Sequence, residues 1–306
     1  MIIDPQRFER VESCPACAGG SLAPFRKSTF AFENLGADEI KITDSRYGRV
    51  WNLSRCRDCG HVFADPCPKP EFISSLYAAV EDPLYEEEAG GREKNFDRIL
   101  DCLEKLRPEK GRLMDVGAAT GILLNLARRR GWEPDGIDPS GWAVRTAREK
   151  YGLEVIRGAF ETAPLEKKAY GACAMVDFIE HTPRPHAALL RANELLEDGG
   201  LLCLVTPDAR SLAAKIAGRR WWHFRPAHLA YFSASGLGAL FRRTGFSVVK
   251  ARSYDWTFSA HYLASRLAVS NFFLRNRRFA SFLRGISIKL ALGDSFEIYA
   301  RKEKSL

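Results

Sequence analysis

The stretch Asp115-Val116-Gly117-Ala118-Ala119-Thr120-Gly121 decides the fold, because it joins a short apolar strand to a helix. Residues 113–116 have the apolar character of a buried strand, and residues 122–130 have a helical pattern. Glycines in such a turn let the backbone come close to a ligand, and the start of the helix offers free N–H groups. The turn therefore predicts a ligand site where the strand ends.

Strand and helix patterns alternate along the chain after this turn. The predicted strands are 113–116, 133–137, 153–156, 172–176, 201–205, 247–254 and 295–300, and the predicted helices are 122–130, 141–150 and 187–196. Alternation of this kind predicts an α/β fold, with a doubly wound, mostly parallel sheet covered on both faces. Ligands of such sheets bind at the carboxyl ends of the strands.

The type of ligand follows from what surrounds the turn. The spacing is not GxGxxG and no GK[ST] follows, which disfavours nicotinamide dinucleotides and nucleoside triphosphates. Asp138 closes the second strand 17 residues after Gly121, where a carboxylate can accept hydrogen bonds from both ribose hydroxyls. Taken alone, Asp138 could also be a helix-cap neighbour or a surface residue. Together with the turn it favours a ribose-bearing ligand.

Several ordered motifs resemble those of the class I S-adenosylmethionine-dependent methyltransferases. The matching segments are the turn at 115–121, Gly136-Ile137-Asp138-Pro139-Ser140, the "EH" motif at 176–181, the "LKPGG" turn at 195–202, the "TPN" block at 206–208 and the "HLxYFS" block at 222–233. One subgroup of that family carries an N-terminal zinc module ending in "CxxCGxVF", which residues 56–63 resemble. The resemblance implies a Rossmann-like sheet of seven strands and S-adenosylmethionine as cofactor.

The same resemblance implies a role for each residue of the cofactor site. Asp115 would help to hold the methionyl amino group, Gly117 and Gly121 would let the loop curve around it, Asp138 would bind the ribose, Phe160 would flank adenine, and Val176 and Asp177 would lie beside the methionyl group. Simple core packing is an equal alternative for Phe160. The family's middle glycine is Ala119 here, and its methyl group is expected to crowd the loop by about 1 kcal/mol.

Two CxxC pairs near the N-terminus predict a structural zinc site. Cys14 and Cys17 form the first pair, and Cys56 and Cys59 form the second. Two such knuckles supply the four thiolates of a tetrahedral Zn²⁺ site, whereas disulfides are rare in a reducing cytoplasm. The alternative is four free, buried cysteines. The long gap between the pairs predicts a small β insert.

The chain therefore divides into a predicted zinc-ribbon-like module at 1–70, a helical linker at 71–110 with a helix at 95–106, and a methyltransferase domain at 111–306. A helical insertion is predicted at 257–292. It is aromatic and holds six basic residues and no acid, so it accounts for most of the net charge of +8. It is interpreted either as an interfacial helix pair on an anionic membrane or as a lid or dimer helix pair over the acceptor site. Both suit an anionic acceptor such as a phosphate-bearing glycan or a lipid-linked sugar.

Two histidines are the candidates for a catalytic base. His181 follows the fourth strand, and His228 lies in the block expected to cover the same face. Methyl transfer to oxygen or nitrogen usually needs a base near neutral pKa, which histidine supplies. The alternatives are a helix cap for His181 and a structural hydrogen bond for His228.

Composition and the missing motifs limit the remaining functions. No stretch of about 18 apolar residues occurs and the N-terminus lacks a secretory pattern, so we expect a cytoplasmic protein, with peripheral contact at the inner membrane surface through 257–292. Residues 177–180 do not read Asn/Asp-Pro-Pro-Tyr/Phe, and the basic charge is local, so nucleic acid is a disfavoured partner. The predicted function is methyl transfer to a small-molecule or glycan acceptor, at oxygen. The alternatives are a zinc-ribbon binding protein with an inactive methyltransferase-like domain, and an RNA or protein methyltransferase.

Overall fold

The structure, a computed structural model, describes residues 4–31, 35–43, 46–266 and 276–303. Its N-terminal part contains five short strands: β1 (Phe8–Glu9), β2 (Leu22–Arg26), β3 (Leu53–Cys56), β4 (Val62–Ala64) and β5 (Cys67–Pro68). Strands β2, β3 and β4 pair antiparallel in that order, and β1 pairs with β5. Strand β2 lies in the gap between the CxxC pairs, where a β insert was predicted.

Three helices connect this part to the central sheet: α1 (Pro70–Ala78), α2 (Pro83–Glu87) and α3 (Ala89–Leu106). Helix α3 begins six residues before the predicted helix at 95–106 and runs through Gly90 and Gly91. A Cβ at Gly91 would lie 3.0 Å from the carbonyl oxygen of Thr257. The glycine thus permits a close helix contact that a helical period by itself does not reveal.

The rest of the chain alternates strands and helices as predicted. The elements are β6 (Arg112–Val116), α4 (Ile122–Arg129), β7 (Glu133–Asp138), α5 (Gly141–Tyr151), β8 (Val155–Arg157), β9 (Tyr170–Val176), α6 (Pro185–Leu195), β10 (Leu196–Pro207), α7 (Leu212–Ala217), β11 (Ala230–Tyr231), α8 (Ala234–Arg243), β12 (Phe246–Ser253), β13 (Trp256–Ser259), α9 (Ala260–Arg266), α10 (Arg277–Gly285), β14 (Ser287–Leu290) and β15 (Ser295–Lys302). Single 3₁₀ turns occur at Ala37–Ile40 and Gly218–Arg220.

The central sheet has seven strands in the order β12-β15-β10-β9-β6-β7-β8. Strands β10, β9, β6, β7 and β8 are mutually parallel, and β15 runs antiparallel to both of its neighbours. The chain leaves β6 toward β7 and β8 and later returns to place β9 on the other side. The strand order therefore reverses between β6 and β9, and a crevice for a ligand is expected at the carboxyl ends of these two strands.

Side chains that alternate along the strands build a core on each face of the sheet. Met114 and Val116 face one core, which α6, α8 and the cysteines of the N-terminal part complete. Leu113 faces the other core, together with Ile99 and Leu103 of α3. The N-terminal part is thus packed against the central sheet through a shared apolar core.

Strand β11 comes from the "HLxYFS" block but pairs with β4 of the N-terminal sheet. The four-stranded sheet has the order β11-β4-β3-β2. A segment that the sequence places in the C-terminal half of the chain therefore completes the sheet beside the two CxxC pairs.

The insertion at 257–292 contains strands as well as the predicted helices. Strands β13 and β14 pair antiparallel, with Trp256 opposite Leu290 and Ser259 opposite Ser287, and the helices α9 and α10 lie between them in sequence. Asn95 of α3 pins β13 through hydrogen bonds of 2.8 and 3.0 Å with the main chain of Thr257. Residues 267–275, part of the predicted helix pair, lie outside the described residues. Among the helices that the structure describes, none combines the length and apolar character needed to cross a bilayer.

Candidate functional site

The glycine turn lies at the carboxyl end of β6 and is held by β7. The N–H groups of Gly117 and Ala118 both donate to the carbonyl oxygen of Ile137, over 2.9 and 3.0 Å. Gly117, Ala119 and Gly121 have positive φ angles of 74°, 47° and 79°. A Cβ at Gly117 would lie 3.2 Å from the ring of Phe178, and the bare backbone leaves that space open. Ala119 is the one residue of the three that adopts this conformation with a side chain.

Asp138 ties the turn to β7. Its Oδ2 accepts a hydrogen bond from the Ala119 N–H over 2.9 Å, and its Oδ1 accepts one from the Ser140 N–H over 2.8 Å. Burial raises the pKa of Asp138 to about 6, although the two N–H donors oppose the shift. Each carboxylate oxygen keeps a second lone pair, which is the acceptor pair that a ribose diol requires.

An inner cleft of about 800 Å³, including its open mouth, lies beside this turn. Of the predicted cofactor residues, Gly117, Ala119, Asp138, Phe160 and Asp177 line it. Phe160 is also buried and packs edge-to-face on Phe178, with ring centroids 6.1 Å apart, so it serves both the core and the cleft.

Asp115 and Gly121 support the turn from behind and do not line the described cavities. Asp115 is buried near Asp138, and burial together with the neighbouring charge raises its pKa to about 7. Gly121 is the N-cap of α4, where a Cβ would lie 3.0 Å from Leu153. These two predicted residues therefore shape the site without facing it.

Val176 and Asp177 end β9 next to the turn. Val176 lines a side pocket together with Tyr85 and Arg92. Asp177 lines this side pocket, the inner cleft and a larger outer cavity, so all three spaces border this residue. Burial raises the pKa of Asp177 to about 6, against the opposing charge of Arg92.

His181 stands at the border between the inner cleft and the outer cavity. Its Nδ1 lies 2.9 Å from the carbonyl oxygen of Ala227 and 2.8 Å from the Tyr77 hydroxyl. A carbonyl can only accept, so Nδ1 carries the proton and Nε2 keeps its lone pair. Nε2 is buried without a partner among the described residues. Burial lowers the pKa of His181 to about 4, and the ring is therefore neutral near pH 7.

His228 packs against His181 and lines the outer cavity. The two ring centroids are 4.7 Å apart and the planes are perpendicular, at 89°. Burial lowers the pKa of His228 well below its usual value, and Nδ1 has no partner within the described chain. Glu180 lies beside the pair, with donor atoms of all three groups within 4.8 Å of one another. The two predicted histidines therefore lie together, and each has a ring nitrogen without a hydrogen-bond partner among the described residues.

The outer cavity measures about 1340 Å³, including its open mouth. Its walls are aromatic and basic, and the residues that sequence reasoning missed are Tyr47, Arg92, Trp222, Arg225, Trp256, Phe258, Tyr262 and Arg266. They come from the N-terminal segment between the CxxC pairs, α3, the 222–228 block, β13 and α9, so no single local pattern joins them. Two sequence signals were available: the run of aromatic and basic residues before His228, and the aromatic, basic insertion at 257–292, for which a lid over the acceptor site was one interpretation.

A loop of the N-terminal part covers the site. Ile42 lines all three spaces. The guanidinium of Arg225 donates to the carbonyl of Ile42, and the Thr43 N–H donates to Asp82 over 3.1 Å. The site is therefore closed over by a segment that lies between the two CxxC pairs in sequence.

Comparison with known proteins identifies the family. A sequence model of a family described as "Methyltransferase domain" matches residues 85–251, more than half of the chain. The chain belongs to this methyltransferase family. The matched range contains the glycine turn, Asp138, Asp177 and both histidines.

Two relatives of this methyltransferase show how far the likeness extends. It is 32% identical over 112 residues to a ubiquinone biosynthesis O-methyltransferase of Alkalilimnicola ehrlichii, which covers 34% of this chain and 44% of the relative. It is 26% identical over 190 residues to the chloroplastic 2-methyl-6-phytyl-1,4-hydroquinone methyltransferase 2 of Oryza sativa, which covers 59% and 50%. The chain spans about half the length of the curated relatives it matches.

One solved structure confirms the fold of this methyltransferase. A SAM-dependent methyltransferase from Archaeoglobus fulgidus superposes with a TM-score of 0.52 and 20% sequence identity, over 72% of this chain and 98% of that one. The predicted Rossmann-like, seven-stranded class I methyltransferase fold is therefore confirmed.

The residues present fit S-adenosylmethionine. The inner cleft joins a turn that a Cβ at Gly117 would fill, a buried carboxylate with free lone pairs at Asp138, an aromatic wall at Phe160 and a second carboxylate at Asp177. A nucleoside with a cationic amino-acid tail calls for these features. The features that fit the cofactor thus run from the ring of Phe160 to Asp177, which also lines the outer cavity.

The four predicted zinc ligands lie together. The Sγ atoms of Cys14 and Cys59 are 3.6 Å apart, as are those of Cys17 and Cys56, and all four lie within 4.8 Å of one another. Four sulfurs about 2.3 Å from a central Zn²⁺ would be separated by about 3.8 Å, so the cluster fits a tetrahedral ion. All four are free thiols. Burial raises the pKa of Cys14 and Cys59, so a cation would be needed to hold them as thiolates.

Proposed function

We propose that this protein transfers a methyl group from S-adenosylmethionine to an oxygen atom of a small molecule bound in the outer cavity. One observation carries the proposal: Asp177 and His181 each line both the inner cleft, whose residues fit the cofactor, and the aromatic outer cavity. Two bound molecules would meet there. The name of the O-methyltransferase relative supports transfer to oxygen, and the name of the hydroquinone methyltransferase supports a hydroxylated ring as substrate.

In this proposal the bound cofactor supplies an electrophilic methyl group on a sulfonium. Asp138 and the glycine turn hold the nucleoside end, and Asp177 faces the cationic end. His181 receives the hydroxyl proton at Nε2, because Nδ1–H is fixed by the carbonyl of Ala227. A hydroxyl oxygen becomes strongly acidic as it gains a methyl group, so a base with a lowered pKa is sufficient. His228 orients His181 by ring packing and completes the wall that excludes water.

The acceptor we propose is a hydroxylated ring compound, either a phenol or a sugar of a glycan or lipid-linked glycan. The wall of Trp256, Phe258 and Tyr262 supports a ring, because flat side chains stack on phenols and on sugar faces alike. A protein or RNA acceptor has no such observation in its favour.

The proposed location is cytoplasmic, with contact at an anionic membrane surface through the insertion. Phe279, Phe282, Ile286, Ile288 and Leu292 are exposed there. Electrostatic attraction between the insertion and an anionic membrane is weaker than the sequence predicts, because Glu87 pairs with Arg284 and Asp255 pairs with Lys289. Leu290 and Leu292 also line the outer cavity, so a membrane-borne acceptor would enter beside the surface that touches the lipid.

The test follows labelled methyl transfer from S-adenosylmethionine to hydroxylated aromatic and sugar acceptors. His181→Gln should lower turnover by about 10²–10⁴-fold, the usual contribution of a positioned acid–base group. His228→Gln should lower turnover less, because His228 orients the base and does not take the proton. Cofactor affinity, measured by calorimetry, should change less than about threefold for His228→Gln, because His228 lines the outer cavity but not the inner cleft.

His186→Gln is the matched control, because His186 lies on α6 outside the three spaces. Full turnover by folded His181→Ala and His228→Ala proteins would exclude both as bases. A protein that does not bind the cofactor would exclude the enzyme and favour the inactive-domain alternative.

A further inference from the structure

We propose that the outer cavity selects an acceptor that carries a carboxylate or phosphate group beside its reacting ring, and that Arg92 and Arg266 bind this anion. The inference rests on the proposed function, because it names the acceptor class of the same site. It is carried by two guanidinium groups that face the cavity and have no carboxylate partner within the described residues.

Arg92 projects from α3 into the side pocket and the outer cavity. Its guanidinium lies 3.6 Å above the centre of the Tyr85 ring, which holds it in place. Its Nε is buried and makes no hydrogen bond in the described structure. The charge of Asp177 acts on this guanidinium, but no carboxylate of the described residues forms an ion pair with it, so a ligand anion would offset part of the cost of its burial.

Arg266 reaches the outer cavity from the end of α9. Its guanidinium lies 4.5 Å from the centre of the Tyr262 ring. Both Nε and Nη2 are buried and lack partners among the residues described. Two free donors on one planar group match the two oxygens of a carboxylate or phosphate, the geometry for which arginine is suited.

The other charges around the cavity leave this positive potential in place. Among the described residues, the guanidinium of Arg225 donates only to the carbonyl oxygens of Trp222 and Ile42, so no ion pair neutralises its charge there. Of the two acids that line the cavity, Asp294 keeps its negative charge, because it bonds to the neutral indole of Trp221 and faces His223, whose pKa is lowered by burial. Among the described lining residues, the three guanidinium groups of Arg92, Arg225 and Arg266 still outnumber the two carboxylates. Asp177 lies at the cofactor end, where the sulfonium charge is expected.

The wall beside the arginines is a set of parallel rings. Trp256 and Phe258 stack with centroids 6.1 Å apart at 18°, and Phe258 and Tyr262 stack at 5.0 Å and 12°. A ring lying along this wall would place an attached anion near Arg266 and its hydroxyl toward Asp177 and His181. A hydroxybenzoate and a sugar phosphate both combine a ring, a hydroxyl group and an anion, and the experiment distinguishes between them.

The experiment measures binding to the full chain loaded with S-adenosylhomocysteine, which cannot react. The probes are 3,4-dihydroxybenzoate against catechol, and glucose 6-phosphate against glucose. The anionic member of at least one pair should bind ten-fold or more tightly than its neutral partner, with a preference that weakens as salt rises. The pair that shows the preference identifies the source of the anion.

The variants assign the preference to the two arginines. Arg92→Met and Arg266→Met should each lower anion affinity at least ten-fold and leave neutral-probe affinity within about twofold, while Arg92→Lys should restore part of it. Arg145→Met removes the same charge from an exposed site on α5 and should change neither. Thermal melting and S-adenosylhomocysteine calorimetry verify that each variant is folded.

Equal affinity for anionic and neutral probes, binding of none of them, or a preference that survives loss of both arginines would overturn the inference. In those cases S-adenosylhomocysteine still binds, so the proposed function stands. Failure of S-adenosylhomocysteine to bind the wild-type chain would overturn the proposed function itself.

Discussion

Ala119 is an alanine held in a left-handed conformation at the point where glycine is usual in the resembling family. Its φ of 47° costs an L-residue roughly 1–2 kcal/mol, which the hydrogen bond from its N–H to Asp138 helps to offset. The side chain also lines both the inner cleft and the side pocket. The same alanine therefore carries backbone strain and occupies space beside the proposed cofactor site.

Ala119→Gly is expected to raise the free energy of unfolding by about 0.5–1 kcal/mol, because it relieves the left-handed strain. It should also lower the dissociation constant of S-adenosylmethionine a few-fold. Urea unfolding and calorimetry measure the two effects. The neighbouring Ala118 is buried and has an ordinary φ, so Ala118→Gly should destabilise the protein instead. Destabilisation by both substitutions would show that residue 119 is not strained.

His181 makes stability depend on pH in a defined direction. Its pKa is about 4 in the folded chain, because of burial, and about 6.5 in the unfolded chain. The unfolded chain therefore binds the proton first, and the free energy of unfolding falls as pH drops from 6.5 to 4. Between those limits the wild type should lose up to about 3 kcal/mol more than His181→Gln. Urea unfolding across this range tests it; parallel losses would mean that the ring titrates normally.

The elements α10 and β14 carry the surface proposed to contact a membrane. Phe279 and Phe282 are 42% and 64% exposed on α10. Because burial of these rings in the lipid interface would favour binding, the double substitution Phe279→Ser/Phe282→Ser should lower co-sedimentation with anionic liposomes at least five-fold.

A second exposed apolar pair provides the control for that measurement. Leu212 and Ile216 on α7 are 71% and 78% exposed and lie outside the insertion in sequence. Leu212→Ser/Ile216→Ser should leave liposome binding unchanged. Equal losses in both double variants, or none in the first, would contradict membrane contact through α10.

At the scale of the whole molecule, hydrogen bonds and strand pairing connect the predicted zinc site to the wall of the outer cavity. The hydroxyls of Ser233 and Ser235 both donate to the Cys59 carbonyl over 2.7 Å, and β11 pairs with β4. The segment that carries His228 is therefore fastened to the second CxxC pair. The inner cleft depends instead on β6, β7 and β9.

Loss of zinc should thus lower methyl transfer far more than cofactor binding. In Cys17→Ser we expect the zinc content to fall from one ion per chain, amide exchange to rise in β4 and β11, and the S-adenosylmethionine dissociation constant to stay within about threefold. Elemental analysis, hydrogen exchange and calorimetry measure the three quantities. Cys102→Ala, buried on α3 outside the cluster, is the control.

Two outcomes would contradict this picture. A zinc-free variant with normal exchange and turnover would remove the structural role of the ion. A second metal ion per chain, lost in Glu180→Gln, would mean that Glu180, His181 and His228 form a metal site and not an acid–base group.

Local chemistry allowed most of the fold and the cofactor-side residues to be predicted. The glycine turn, Asp138 and the end of β9 are each a strand end followed by a turn, and parallel strands bring such ends to one edge of the sheet. The grouping of the cysteines within each CxxC pair was likewise predictable, because a spacing of two residues places both thiols on one turn. Helix α3 and the strands of the insertion were less predictable, since their bounds depend on the contact of Gly91 with Thr257.

Sequence by itself thus determined the sheet, the glycine turn at the carboxyl end of β6 and the grouping of the four cysteines. Tertiary structure alone decided the outer cavity, where Arg92, Trp222 and Arg266 converge from α3, the 222–228 block and α9. It also decided that β11 joins the N-terminal sheet and that Ile42 covers the site. The physical reason is distance along the chain: a turn or a knuckle is fixed by neighbours within a few residues, whereas this cavity wall is fixed by packing between segments that are 44 to 174 residues apart.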